Sequence, residues 1–253
     1  MRFDYSSDSL HNLGREQELS VIITSYNQTS FLLEAVDSYE KFSKDCNCEL
    51  IIIDDGSTIQ ETRRIVDHLK SRGFKVIMQA NQGLPSARNN AIAAARGEIL
   101  LFLDDDNRLL EPYFTIGMDI MNSNPCIDVV YGDRLEFGIS SRIVEIGYIA
   151  PSDLWLMNRI DNCALIRKSY LDRCGGYDER LSGLGFEDWD LWLNGLIQKE
   201  GLTLGYINLP CFEYRVRENS MLQRLFESKE LQSRLMRILN SKYSPLIGNG
   251  GFE

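Results

Sequence analysis

The chain has 253 residues, 43% hydrophobic and 25% charged, enough for one large domain or two small ones around a sizeable core. A net charge of −10 argues against a nucleic-acid partner, which needs a basic face, although a metal or a few arginines can still make a local anion site. No apolar run reaches the roughly 18 residues of a membrane span and no signal peptide opens the sequence, so a cytoplasmic protein is expected, with its six cysteines as scattered reduced thiols.

Residues 1–18 are polar and aperiodic, a lead-in segment with no repeat or low-complexity tract behind it. Residues 19–24 (Leu-Ser-Val-Ile-Ile-Thr) predict a buried strand that ends on Ser25-Tyr26-Asn27. Phe31, Leu32, Ala35, Val36 and Tyr39 then share one face of a helix. Cys46 and Cys48 are separated by one residue, where zinc and redox motifs use two. Residues 49–53 predict a second strand, stopping on Asp54-Asp55-Gly56-Ser57. Thr58-Ile-Gln-Glu61 has the spacing of a capping box, so a helix should start there and run to about Ser71. Residues 74–78 are a third strand. In the run 81–90 (Asn-Gln-Gly-Leu-Pro-Ser-Ala-Arg-Asn-Asn), Pro85 suits the first turn of a helix that Gly97 would end.

Residues 99–103 are five apolar residues in a row, the pattern of a strand buried on both faces. Asp104, Asp105 and Asp106 follow at once. Each close pair of like charges costs roughly 4 kcal/mol at an effective dielectric of about 20, a penalty that a hard divalent cation with oxygen ligands would remove. The alternative is a solvated acidic turn. Position decides between them, because open α/β sheets bind ligands beyond the carboxyl ends of their strands. Strands alternating with helices predict βαβ units and a mostly parallel sheet, which would bring Thr24, Asp55 and the three aspartates to one edge.

The second half is less regular. Pro112 should open a helix ending before Asn124-Pro125, followed by strands at 127–131 and 135–146, the latter broken at Gly138. Residues 148–160 read as a loop, 162–167 as a strand, and 168–173 as a short helix stopped by Gly175-Gly176. A flexible stretch at 181–186 leads into Glu187-Asp188-Trp189-Asp190, whose acids could simply cap a helix. Residues 202–207 and 211–216 are late strands. From Met221 to about Tyr243 apolar residues recur at helical spacing, a packing or association element through which the chain could form oligomers.

Taken together, these stretches resemble glycosyltransferase family 2, the inverting enzymes of the GT-A fold, over residues 19–221. The resemblance rests on Val-Ile-Ile-Thr-Ser-Tyr-Asn at 21–27, Ile-Ile-Ile-Asp-Asp-Gly-Ser at 51–57, the run 81–90, Arg-Gly-Glu at 96–98, Phe-Leu-Asp-Asp-Asp-Asn at 102–107, Gly-Gly-Tyr-Asp-Glu at 175–179 and Gly-Phe-Glu-Asp-Trp-Asp-Leu-Trp-Leu at 185–193. It implies a Rossmann-like sheet flanked by helices, with a nucleotide-sugar half at 19–107, a smaller mixed acceptor half at 108–220 and a helical segment at 221–253. It also implies transfer of a sugar from a nucleotide-diphosphate donor, a UDP-sugar, to a hydroxyl acceptor in glycan synthesis. A divalent metal, manganese or magnesium, would neutralise the leaving diphosphate. Asp104 and Asp106 would hold that metal, with Asp104 and Asp105 also near the ribose. Thr24, Tyr26, Asn27 and Asp55 would hold base and ribose, Asp55 accepting a base N–H, with Gly83 and Arg88 on the nucleotide side and Arg88 near the phosphates. Asp188 matches the catalytic base, with Glu187 and Trp189 beside the sugars; Trp155 offers a second apolar face.

One departure stands out. Family members commonly end in Tyr-Arg-x-His-x-x-Ser, and here Arg217 replaces the histidine. An arginine cannot ligate a metal but can pair with a phosphate, so Arg217 is expected as a diphosphate contact. The two histidines, His11 and His68, fall outside every motif. Lipid-linked acceptors in this family imply transient contact with the inner membrane face. The rival readings are a sugar-phosphate nucleotidyltransferase, which would need a Gly-rich basic loop after the first strand, and an inactive sugar-nucleotide binder.

Overall fold

The structure, a computed structural model, describes residues 18–218 and 220–247, so all of the lead-in but Glu18 lies outside the described residues. The first half alternates strand and helix: β1 (Leu19–Ser25), α1 (Ser30–Phe42), β2 (Cys48–Asp55), α2 (Gln60–Ser71), β3 (Lys75–Gln79), α3 (Leu84–Ala94) and β4 (Ile99–Asp104). Beyond it come β5 (Arg108–Leu109), α4 (Ile116–Ser123), β6 (Val129–Gly138), β7 (Arg142–Val144), β8 (Leu165–Arg167), α5 (Lys168–Cys174), α6 (Glu187–Ile197), β9 (Leu204–Val216), α7 (Met221–Glu227) and α8 (Lys229–Ile247).

The nine described strands form one sheet in the order β3-β2-β1-β4-β8-β6-β9-β5, with β7 paired to β6. From β3 to β4 every pairing is parallel; beyond β4 the sheet is mixed, β8 running antiparallel to both β4 and β6. The continuous apolar runs are explained by burial on both faces. Val21, Ile23, Leu50, Ile52, Leu101 and Leu103 pack with α1, α2 and α4 on one side. Ile22, Ile51, Ile53, Leu100 and Phe102 pack with α3, α5 and α6 on the other. A third cluster joins Trp189 and Leu193 of α6 to Leu225, Leu235, Leu239 and Tyr243 of the last two helices.

Several expected boundaries move, each for a local reason. Thr58 does not cap α2: the helix begins after Ile59, and the Asn27 side-chain oxygen accepts from Thr58 N at 2.7 Å and Ile59 N at 3.0 Å. A capping carboxamide from another loop does the work expected of the local box. Helix α3 ends at Ala94, and Gly97 serves a close approach instead, since a Cβ there would lie 2.6 Å from Ser20 N. The helix expected at Pro112 begins only at Ile116, after a 3-10 turn at Glu111–Tyr113. The two late strands are one, β9, whose pairing with β6 shifts register opposite Pro210, where an N–H is missing from the ladder. The terminal helix is broken at Ser228, which is extended (φ −109°, ψ 106°). All six cysteines are free thiols.

Candidate active site

Register sets the first part of the site. Thr24 of β1 lies opposite Asp104 of β4, Ser25 opposite Asp54, and Asp55 opposite Gln79, so the carboxyl ends of four parallel strands meet at one edge. The chain then turns sharply, with Asn107 N donating to Asp104 O at 3.1 Å. The buried Asn107 Oδ1 accepts from Arg215 N at 2.8 Å, and Arg215 Nε donates to the Asp106 carbonyl at 2.8 Å. This pins the acidic turn against the end of β9. Arg217, two residues on, pairs with Asp106 at 2.9 Å. Burial, with Asp106 and Asp104 adding to it, pushes the Asp105 carboxyl up to about 7. Burial and Asp104 push Asp106 up to about 6, against Arg217 and Arg215. The like-charge penalty read from the sequence is therefore present, and the chain's own cations only partly relieve it.

The nucleotide-side residues differ in how the chain engages them. Thr24 is buried and Tyr26 is 50% exposed at the strand mouth. Asn27 adopts a left-handed backbone (φ 55°) and clamps the start of α2 with its side chain. Asp55 is buried, and its oxygens accept from Gln82 N at 2.8 Å, Gly83 N at 2.8 Å and Gln79 Nε2 at 2.9 Å. It holds the 80–83 loop, with lone-pair capacity remaining for one more donor. Gly83 (φ 90°) lies against Ser182, so that any Cβ would overlap the Ser182 hydroxyl.

The run 81–90 proves to be a brace. Asn89 exchanges hydrogen bonds with the Tyr177 backbone at 2.8 and 2.9 Å, and Asn90 Nδ2 donates to Gln79 at 2.7 Å. Arg88 is 2% exposed, donating to Asp104 Oδ1 at 2.9 Å and to Glu187 Oε1 at 2.5 Å. The expectation of an arginine lying at the phosphates changes accordingly: the guanidinium is buried between two carboxylates.

Helix α6 carries the second part of the site. Phe186 precedes it with φ 61°, an unusual conformation for an aromatic residue, held by edge-on contacts with Trp189 and Phe226. Asp188 accepts from Trp189 N at 2.7 Å and from the Asn158 amide, and burial together with Glu187 and Asp161 raises its proton affinity well above the usual carboxylate range. The Asn158 carbonyl oxygen is buried with no donor among the described residues. Trp189 is corrected: its indole N–H donates to Leu154 O at 2.7 Å and its ring is buried in the third cluster, so it is core and not a sugar platform. Glu187 is likewise turned inward, pairing with Arg88 at 2.5 Å. Trp155 stacks edge-on against Tyr243.

Sequence reasoning missed Asp161, Asn158 and Asn162. Asp161 has a raised proton affinity through burial and Asp104, and its Oδ1 accepts from Cys163 N at 2.9 Å. None of the three belongs to a motif; they sit in the loop before β8 and reach the site only because β8 pairs with β4.

Among the described residues no three His, Cys, Asp or Glu side chains gather into a cage for a metal. The donor set nevertheless fits a hard cation shared with a diphosphate, because magnesium-type sites commonly use one or two carboxylates, the rest coming from phosphate oxygens and water. Asp105 and Asp106 have raised proton affinities, chiefly through burial, with the neighbouring aspartates adding to it.

The family described as Glycosyl transferase family 2 matches residues 20–175. A protein of Haemophilus influenzae named only as an uncharacterized glycosyltransferase is 29% identical over 201 residues, 76% of this chain and 66% of that protein. The alignments span 66%, 38% and 28% of the lengths of the first three curated relatives. An Escherichia coli protein, UDP-Glc:alpha-D-GlcNAc-diphosphoundecaprenol beta-1,3-glucosyltransferase WfaP, is 26% identical over 88% of this chain and 87% of its own. Among solved structures, S. aureus TarS 1-349 in complex with UDP-GlcNAc superposes with a TM-score of 0.64 at 18% identity, covering 92% of this chain and 74% of that one. At such identity the likeness is one of fold, and the fold is GT-A.

Proposed function

Because the chain belongs to glycosyltransferase family 2, we propose that it moves a sugar from a UDP-sugar to a hydroxyl of a lipid-linked glycan acceptor, with inversion at the anomeric carbon. The observation that carries this reading is the meeting of the acidic turn at β4 with the start of α6, joined through one buried arginine. A donor's diphosphate belongs at the acidic turn, and the hydroxyl to be activated belongs at Asp188.

In the proposed step the acceptor hydroxyl gives its proton to the Asp188 carboxylate while its oxygen bonds to the anomeric carbon. The bond from that carbon to the diphosphate breaks, its electron pair leaving on the phosphate oxygen. One displacement inverts the centre, and no covalent intermediate is needed. A carboxylate of raised proton affinity suits this role, because general-base efficiency peaks when the base's pKa lies near the working pH. Asp104 and Asp106 would hold a divalent cation, whose chemistry there is to neutralise the leaving diphosphate. Arg217 would turn from Asp106 to the diphosphate, and Thr24, Tyr26 and Asp55 would receive base and ribose.

A lipid-linked acceptor is supported by the activity that names the E. coli relative and by an apolar lip at Leu156 (81% exposed) and Met157, next to Asn158. No helix among the described residues is long and apolar enough to cross a membrane. Such a lip would make contact with the cytoplasmic face of the membrane.

The test is transfer from UDP-glucose with manganese and a diphospholipid-linked sugar acceptor. Asp188→Asn should cut turnover by about 10²–10⁴-fold while calorimetric UDP binding persists. Undiminished turnover in that variant would overturn the assignment, and UDP binding without turnover by the unaltered protein on any UDP-sugar would favour an inactive binder.

A further inference from the structure

Resting on that reading, we propose that Arg88 is a positioning residue that fixes where the base Asp188 stands relative to the donor's diphosphate. It does so by tying the acidic end of β4 to the first residue of α6.

Asp104 and Glu187 come from opposite halves of the chain, 16 and 99 residues from Arg88, and the guanidinium bridges them at 2.9 and 2.5 Å. Asn162 completes the grip. With its amide oriented to satisfy both neighbours, its carbonyl accepts from Arg88 Nε and Nη2 at 3.3 Å and its nitrogen donates to the Tyr177 hydroxyl at 2.6 Å. The Tyr177 ring lies 5.4 Å from the guanidinium carbon. An arginine suits this place because its charge is permanent and its planar fork engages several acceptors in fixed directions.

The need for a strut lies in the approach to α6. Gly183, Gly185 and Phe186 all have positive φ (75°, 72° and 61°), so the segment leading to the base has no regular structure to hold its direction. Asp190 and Trp189 anchor the far side of that first turn to Lys242 and Leu154. Arg88 anchors its near side to the sheet. A phosphate contact is a poor alternative: at 2% exposure the side chain is enclosed and its fork faces Asp104, Glu187 and Asn162.

Arg88→Lys keeps the charge and loses the fork. Turnover per folded molecule should fall by about 10²-fold, the order expected for a misplacement near 1 Å, with donor KM and UDP affinity changed less than about threefold. Amide exchange at residues 186–190 should quicken at least about tenfold while β1 and β4 keep their protection. If the lysine variant does not fold, Glu187→Gln cuts the same strut from the other end, and the same local gain in exchange is expected. Unchanged exchange at 186–190 with unchanged turnover would overturn the proposal, as would a large loss of UDP affinity with turnover intact, the signature of a phosphate contact. The exchange measurement needs no turnover. If the unaltered protein transfers no sugar, the transferase reading fails while the strut is still decided.

Discussion

As the proposed base, Asp188 has to serve two ends that oppose each other. Its raised proton affinity fits a base, but the same burial and the same neighbouring carboxylates make its ionised form a burden on the fold. The native state binds this proton more tightly than the unfolded chain does. Stability from this group is therefore full below the ordinary carboxyl pKa and is lost as pH rises through the higher native value. Asp188→Asn cannot ionise, so its Tm should match that of the unaltered protein near pH 4 and exceed it by a few degrees at pH 8, at about 2–4 °C per kcal/mol for a domain of this size. Calorimetric scans across that range check the sign. Gly83 poses a steric version of the same question. A Cβ there would overlap Ser182 in a backbone conformation that side chains disfavour, so Gly83→Ala should cost on the order of 1–3 kcal/mol. A lowered urea midpoint with weakened UDP binding would register it, because the loop held by Asp55 moves with it.

At the level of elements, α8 answers what the terminal helical pattern is for. Leu235, Leu239 and Tyr243 pack on α6 within the same chain, so these residues serve packing, one of the two roles expected from the pattern. Lys242 pairs with Asp190 at 2.6 Å and Asp178 at 3.1 Å, while the Tyr243 hydroxyl donates to Asp190 Oδ1 at 2.8 Å. Asp190 is 1% exposed. Removing the cation strands a buried carboxylate, a loss of about 3–5 kcal/mol for fully buried pairs. Lys242→Met should thus lower Tm, with turnover per folded molecule falling as well, because Asp190 lies in the turn that carries Asp188. Differential scanning and active-site titration separate the two effects. Leu239→Ala, at a fully buried position, should cost about 2–5 kcal/mol and leave turnover per folded molecule unchanged.

For the whole molecule, one sheet runs beneath both halves, so the acidic edge and the helix bearing Asp188 are parts of a single packed body. Its site gathers carboxylates whose native proton affinities are raised: Asp105 to about 7 and Asp106 to about 6, with Asp188 and Asp161 also moved upward. Ligand-free protein should therefore lose stability as pH rises from about 4 to about 7, the window between ordinary and native values. Manganese with UDP, binding only the native state, should restore it at pH 7.5, with the gain growing with ligand concentration. Urea titrations at pH 5 and pH 7.5, with and without both ligands, test this. A stability that rises through that interval would contradict it.

The buried runs at 19–24, 49–53 and 99–103 announced a parallel sheet, and the aspartates closing the last run announced an acidic carboxyl edge, because hydrophobic continuity and charge repulsion are local properties of a sequence. The acidic start of α6 that carries Asp188 was legible through its motif. What no local pattern could convey is which groups satisfy one another across long separations. Arg88 reads as a phosphate contact until α6 folds over it, Trp189 reads as a sugar platform until Leu154 takes its N–H, and Asp161 has no signature at all. Partner choice for a buried charge or donor depends on distances set by the packed sheet, and those exist only once the chain has folded.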